Sequence, residues 1–164
     1  NGLLKKGIRL VLDASALQPY ILDAVAGQDV VLTPHAGEFA RLFGTPPGNS
    51  LEERCRAAKE MAKRHGIVIL LKGMVDVITD GERLVVNRTG TCAMTVGGTG
   101  DVLTGIVAGL VAKGVPCFEA ASASAYINGL CGEIAATELG LHILPTDLIE
   151  KIPQVMKKFD KIVS

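Results

Sequence analysis

The sequence contains no tryptophan, and aromatic residues make up only 4 % of its 164 positions. A core built on large rings is thereby excluded. Small and branched aliphatics must fill the interior, which suits a buried parallel sheet flanked by closely packed helices. Charge of one sign is also missing: Lys+Arg and Asp+Glu are both 17, and no basic run exceeds two residues. Nucleic-acid binding needs a basic footprint, so DNA and RNA are not expected partners. Long apolar runs are absent too. The stretch 102–112 falls short of the ~20 residues that cross a bilayer, so no membrane association is expected. The four cysteines (Cys55, Cys92, Cys117 and Cys131) form no CxxC pair, and no histidine lies at metal-ligand spacing from them. Neither a zinc site nor a disulfide framework is indicated, and free thiols fit a reducing, cytoplasmic setting. No protein-held metal site is predicted.

What is present is an alternation of apolar runs and helical periodicities. Residues 8–12, 29–33 and 67–71 are continuous apolar runs that read as buried strands. Residues 75–79 and 83–86, joined at Asp80-Gly81, read as a hairpin. Helices are expected over 19–26, 37–42, from Ser50 to about His65, 101–113, 119–139 and from Pro145 onward. Ser50 with Glu53 forms a capping box. Alternation of this kind predicts an α/β fold with a mostly parallel sheet and one antiparallel hairpin. No linker or repeat interrupts it, so residues 1–164 read as a single domain. The chain enters its first strand pattern without an initiator Met, and we expect it to be part of something longer.

Three segments carry candidate chemistry. The first is Val96-Gly97-Gly98-Thr99-Gly100-Asp101 at a loop-to-helix junction. Backbone N–H groups at a helix start lack intrahelical partners, and glycines let a phosphate approach them. It is neither a Walker A loop nor the dinucleotide fingerprint, because no Gly-Lys-Ser/Thr follows and Leu103 stands where that pattern needs Gly or Ala. Asp101 has two readings of equal weight. It deprotonates an attacking hydroxyl, or it complements the helix N-terminus. Gly105 and Gly109, four apart, read as close-packing positions.

The second segment is Thr33-Pro34-His35-Ala36-Gly37-Glu38. It lies past the carboxyl end of a strand, where α/β sheets place ligands. His35 could donate to a polar ligand there, and Glu38 could hold a hydroxyl or cap the helix; the plainer reading is that Pro34 stops the strand and Glu38 caps the next helix. The third is Leu71-Lys72-Gly73, where Lys72 is either a surface lysine or a point charge for nucleotide phosphates. All three fall on one edge of the inferred sheet. Asn128 and Glu133 read as internal hydrogen-bonding groups.

Taken in order, TPHAGEFARL at 33–42, LLKGMVDVITDG at 70–81 and MTVGGTGDVLTGIVAGLVAKG at 94–114 resemble the ADP/ATP-dependent NAD(P)H-hydrate dehydratases. This is a ribokinase-like family, often fused to an NAD(P)H-hydrate epimerase domain. The likeness takes in VLDASAL at 11–17 and runs through Ile143 to Leu148. It departs at Thr91-Cys92-Ala93-Met94, where the family usually has Asn-Pro or Asn-Ala before the Met. The resemblance implies a ribokinase-like fold of which this chain is the C-terminal portion. It implies phosphorylation of hydrated NAD(P)H by ADP or ATP, with Mg2+, followed by loss of phosphate. It matches Asp101 to the catalytic aspartate. It matches His35, Gly37, Glu38 and Asp101 to substrate binding. It matches Lys72, Gly73, Met74, Val75, Asp76, Gly98, Thr99 and Gly100 to nucleotide binding. A homo-oligomer and a fused epimerase domain are further implications. Two rival readings are a ribokinase-like kinase of a small alcohol and an inactive nucleotide-binding fragment.

Overall fold

The computed structural model describes residues 7–161. The first six residues, which precede the first expected strand, lie outside it. Five strands form one sheet in the order of the chain: β1 (Leu10–Leu12), β2 (Val30–Leu32), β3 (Val68–Leu71), β4 (Asp76–Thr79) and β5 (Leu84–Asn87). β1, β2 and β3 are mutually parallel, while β4 is antiparallel to both β3 and β5. The sheet is therefore mixed, with the expected β4–β5 hairpin and a second antiparallel pairing beside it. The connection from Leu71 to Asp76 is too short for a parallel crossover, which takes a dozen or more residues.

The central strands β2 and β3 bury both faces, which is why they read as unbroken apolar runs. Val30, Leu32, Ile69, Leu71 and Val77 face one cluster. It is closed by α1 (Leu22–Val25), α2 (Ala36–Phe43) and α3 (Leu51–His65). Val31, Val68, Leu70 and Ile78 point the opposite way, toward α4 (Thr99–Ala112) and α5 (Cys117–Leu139). The period of two along each strand produces this division. A third cluster joins α4 and α5 to α6 (Pro145–Met156) through Val102, Ile127, Cys131, Leu148 and Val155. Among the described residues no helix is long and apolar enough to cross a membrane.

Local signals account for most boundaries. Ser50 accepts from the Glu53 amide at 3.2 Å, and the Glu53 carboxylate accepts from the Ser50 amide at 2.9 Å, so the expected capping box starts α3. Gly66, at φ 61°, ends it. The segment expected as a helix over 19–26 divides into a 3-10 turn (Pro19–Ile21) and the four-residue α1. One expectation fails: Gly105 and Gly109 are exposed, and a Cβ at either would meet nothing within 4 Å. The close packing that glycine permits falls on α5 instead. There a Cβ on Gly129 would strike Thr89, and one on Gly132 would strike Met94. The loop after β5 thus lies directly against α5.

Candidate functional site

The carboxyl ends of β1, β2 and β3 and the first turns of α2 and α4 converge. An isolated parallel bridge between His35 and Lys72 carries the β2–β3 pairing one step past the strands. Beside it opens a cleft of about 680 Å3. His35, Lys72, Gly73, Met74, Asp76, Gly98, Thr99 and Gly100 line it, while Gly37, Glu38, Val75 and Asp101 do not. Eight of the predicted positions therefore meet around one space.

The head of α4 is the open side of that space. Gly98 is its N-cap, at φ 99°, and no side chain caps the helix. That φ is accessible to glycine at little steric cost. A Cβ there would also lie 2.6 Å from Pro145 Cγ. The Thr99 hydroxyl turns back to the Met94 and Val96 carbonyls, at 2.9 and 3.1 Å, instead of covering the first turn. The first amides of α4 thus have no side-chain partner, the arrangement that can take an anion. Asp101, the third residue of the helix, is exposed beside them.

The head of α2 is closed. His35 Nδ1 accepts from the amides of Gly37 and Glu38 at 3.0 and 3.2 Å. Glu38 Oε2 accepts from the His35 amide at 2.8 Å. The plainer expectation for Glu38 is what the structure shows, and His35 is its reciprocal partner. Because Nδ1 accepts, the ring proton belongs on Nε2, which lies 3.5 Å from Glu38 Oε1. Glu38 is buried, whereas 59 % of the His35 side chain remains exposed toward the cleft.

Lys72 lies between the two helix heads. Its ammonium donates to Asp13 Oδ1 at 2.8 Å and is 3.8 Å from Glu38 Oε2. Thr104 Oγ1 donates to Asp13 Oδ2, also at 2.8 Å, and faces Thr33 Oγ1 at 3.3 Å. Burial pushes the Asp13 carboxyl up, but hydrogen bonds from Lys72 and Thr104 and the Lys72 charge outweigh it and hold the group below its ordinary range. Asp13 and Thr104 stand 91 positions apart. No local pattern ties them, although the family-like VLDASAL marked the strand end that bears Asp13.

The far wall holds Asp76, which accepts from the Gly73 amide at 3.0 Å and from Asn87 Nδ2 at 3.1 Å. Burial pushes its carboxyl up despite those bonds. Arg54, from α3, donates to the Leu71 and Lys72 carbonyls and holds the β3–β4 turn. A Cβ on Gly73 would strike its guanidinium. Glu133 accepts from the Gly90 amide at 2.9 Å, the internal role expected of it. Asn128 differs from expectation: it is 6 % exposed, lines the cleft, and its Oδ1 has no partner. Arg54 and Asn128 were not legible as site residues, since each is a single polar side chain in an ordinary helix pattern.

The mixed sheet flanked by helices is that of a ribokinase-like protein: a ribokinase-like superfamily protein of Enterococcus faecalis superposes with a TM-score of 0.75 at 29 % identity, covering 91 % of this chain and 52 % of that one. A family model for NAD(P)H-hydrate dehydratase matches residues 2–154. The chain is 52 % identical over 163 residues to the ADP-dependent (S)-NAD(P)H-hydrate dehydratase of Nitrosopumilus maritimus, covering 99 % of this chain and 57 % of that protein. It is 53 % identical over 150 residues to a bifunctional NAD(P)H-hydrate repair enzyme of Pyrobaculum aerophilum, covering 92 % of this chain and 30 % of that one. The Bacillus subtilis ADP/ATP-dependent NAD(P)H-hydrate dehydratase, co-crystallized with ATP/Mg2+, superposes with a TM-score of 0.80 at 33 % identity. That match covers 96 % of this chain and 57 % of the other. The chain belongs to the NAD(P)H-hydrate dehydratase family. It spans 57 and 56 % of the Nitrosopumilus maritimus and Cenarchaeum symbiosum dehydratases it matches.

Proposed function

We propose that the protein dehydrates hydrated NAD(P)H back to NAD(P)H at the expense of ADP or ATP, as a cytoplasmic metabolite-repair enzyme. The observation that carries the reading is the uncapped N-terminus of α4 opening beside Lys72 into a cleft of nucleotide size. Names of relatives supply the substrate class.

The reading assigns the amides at Gly98–Gly100 to the transferred phosphoryl group, where oriented dipoles stabilise developing charge. The turn from Lys72 to Asp76 holds the rest of the nucleotide. Asp101 accepts the proton of the substrate hydroxyl as its oxygen bonds to phosphorus and the donor's P–O bond breaks. AMP leaves from ADP, or ADP from ATP. The carbon–oxygen bond then breaks, with its electron pair departing on phosphate. A proton lost from the adjacent ring carbon leaves the electrons that restore the double bond. His35, with its ring set by the α2 cap, faces the substrate side.

Among the described residues no three His, Cys, Asp or Glu side chains group to hold a metal. Magnesium keeps several waters and takes one or two carboxylates beside nucleotide phosphates, which the single cleft carboxylate fits. Asp76, which lines the cleft, is the carboxylate that would join it. Bound there, the ion would neutralise phosphate charge.

The test is reduced-nicotinamide absorbance with hydrated NADH, Mg2+ and either ADP or ATP, on wild type and Asp101→Asn. Restoration by wild type and its loss in the variant support the reading. ADP binding without restoration contradicts it, and a stable phosphorylated product would identify a kinase instead.

A further inference from the structure

Lys72 ends in a flexible four-carbon arm, yet its side chain is only 18 % exposed and its Nζ sits close to the first turn of α4. A Cβ on Gly100 would lie 3.3 Å from Nζ. Lys72 itself lies on the β3 edge, so something must aim it at that helix. Asp13 is placed to do so. Its side chain is 11 % exposed, and its carboxylate is anchored on both oxygens, to Lys72 on one side and Thr104 of α4 on the other. The backbone beside it is built for that placement. Ala14, at φ 52°, is the one non-glycine residue with positive φ among the described residues. Such strain persists only where its surroundings impose it. Arg41 from α2 supplies part of that restraint, donating to the Ala14 and Leu17 carbonyls at 3.3 Å each.

We infer that Asp13 is a positioning residue, which with Thr104 holds the Lys72 ammonium against the open N-terminus of α4, where the nucleotide phosphate would bind. The inference rests on the nucleotide reading above. An ammonium has three donors, so Lys72 can bond Asp13 and still face the cleft. Without Asp13, the nearest remaining carboxylate is Glu38 at 3.8 Å, and the arm is drawn away from α4 toward α2.

Asp13→Asn, Lys72→Met and the double variant, in the intact protein, distinguish the possibilities. ADP and ATP affinity would be titrated calorimetrically, KM and kcat measured separately, and thermal unfolding followed in parallel. Losing a charge-assisted contact predicts about a tenfold or greater weakening of nucleotide binding in each single variant. The double variant should be no weaker than Lys72→Met alone, because Asp13 acts through Lys72. Multiplying effects, or an Asp13→Asn variant with wild-type nucleotide affinity and a lowered melting temperature, overturn the inference and leave a structural ion pair. If wild type binds neither nucleotide, the nucleotide reading itself fails. Should Asp13→Asn not fold, Thr104→Val replaces it. That variant removes one anchor and should weaken binding in the same direction by a smaller factor, whereas unchanged binding counts against the inference.

Discussion

Two helices begin at the same edge of the sheet and are finished in opposite ways. α2 starts under a reciprocal cap, His35 with Glu38, that satisfies three backbone N–H groups. α4 starts at Gly98 with no side-chain cap. A cap stabilises a helix but fills the place an anion would take. Leaving it out forgoes about 1 kcal/mol and keeps an anion hole open. Under the proposed reading the contrast separates a helix start closed by its own side chains from one left open to bind, although both carry an acidic residue at their third position.

The largest effect should come from Asp101→Asn. Removing a general base lowers turnover by about 10^2- to 10^4-fold, measured as restoration of reduced-nicotinamide absorbance, while ADP affinity changes little. If the aspartate only complements the helix, turnover will hold and stability will drop slightly. Next is Gly98→Ala, which places a side chain at positive φ and against Pro145. Strain and overpacking predict a stability loss on the order of 1–3 kcal/mol, together with weaker nucleotide binding. Denaturant unfolding and ADP titration would show both. At the other helix, Glu38→Ala should cost about 1 kcal/mol of stability as the cap is lost, and denaturant unfolding would reveal it.

The smallest effect is in acid. Asp13 is held below its ordinary carboxyl value of 3.8 in the folded protein. The folded state therefore binds this proton less readily than the unfolded chain does. Its stabilisation is in force above 3.8 and is lost as pH falls through the lower folded value. Asp13→Asn should flatten the acid limb of stability against pH. An unchanged limb would mean the carboxylate is not held as the geometry indicates.

Strands, hairpin and most helices could be read from the sequence because their signals are local: apolar runs, Ser50 with Glu53, Asp80-Gly81, Pro145. The second antiparallel pairing is set by chain length between β3 and β4 rather than by residue type, so a mostly parallel sheet was the natural expectation. Glycine meaning depended on neighbours. Gly105 and Gly109 have the spacing of packing positions but face open space, whereas Gly129 and Gly132 meet Thr89 and Met94. In the site, the glycine-headed α4 was legible from composition, and the closing of α2 was one of two readings open to His35 and Glu38. The tie from Asp13 to Lys72 and Thr104 joins three distant segments. Only the fold brings it together. The same holds for the unpartnered oxygen of Asn128, since an asparagine in a helix gives no sign of whether its amide is satisfied.

The central claim is that the uncapped head of α4, and not the capped head of α2, receives nucleotide phosphate. Hydrogen exchange with and without ADP and Mg2+ tests this most directly. Added protection at residues 97–101 and 72–76, with the amides of residues 36–38 unchanged, is the predicted result. Protection at the head of α2 with none at α4 would contradict the account.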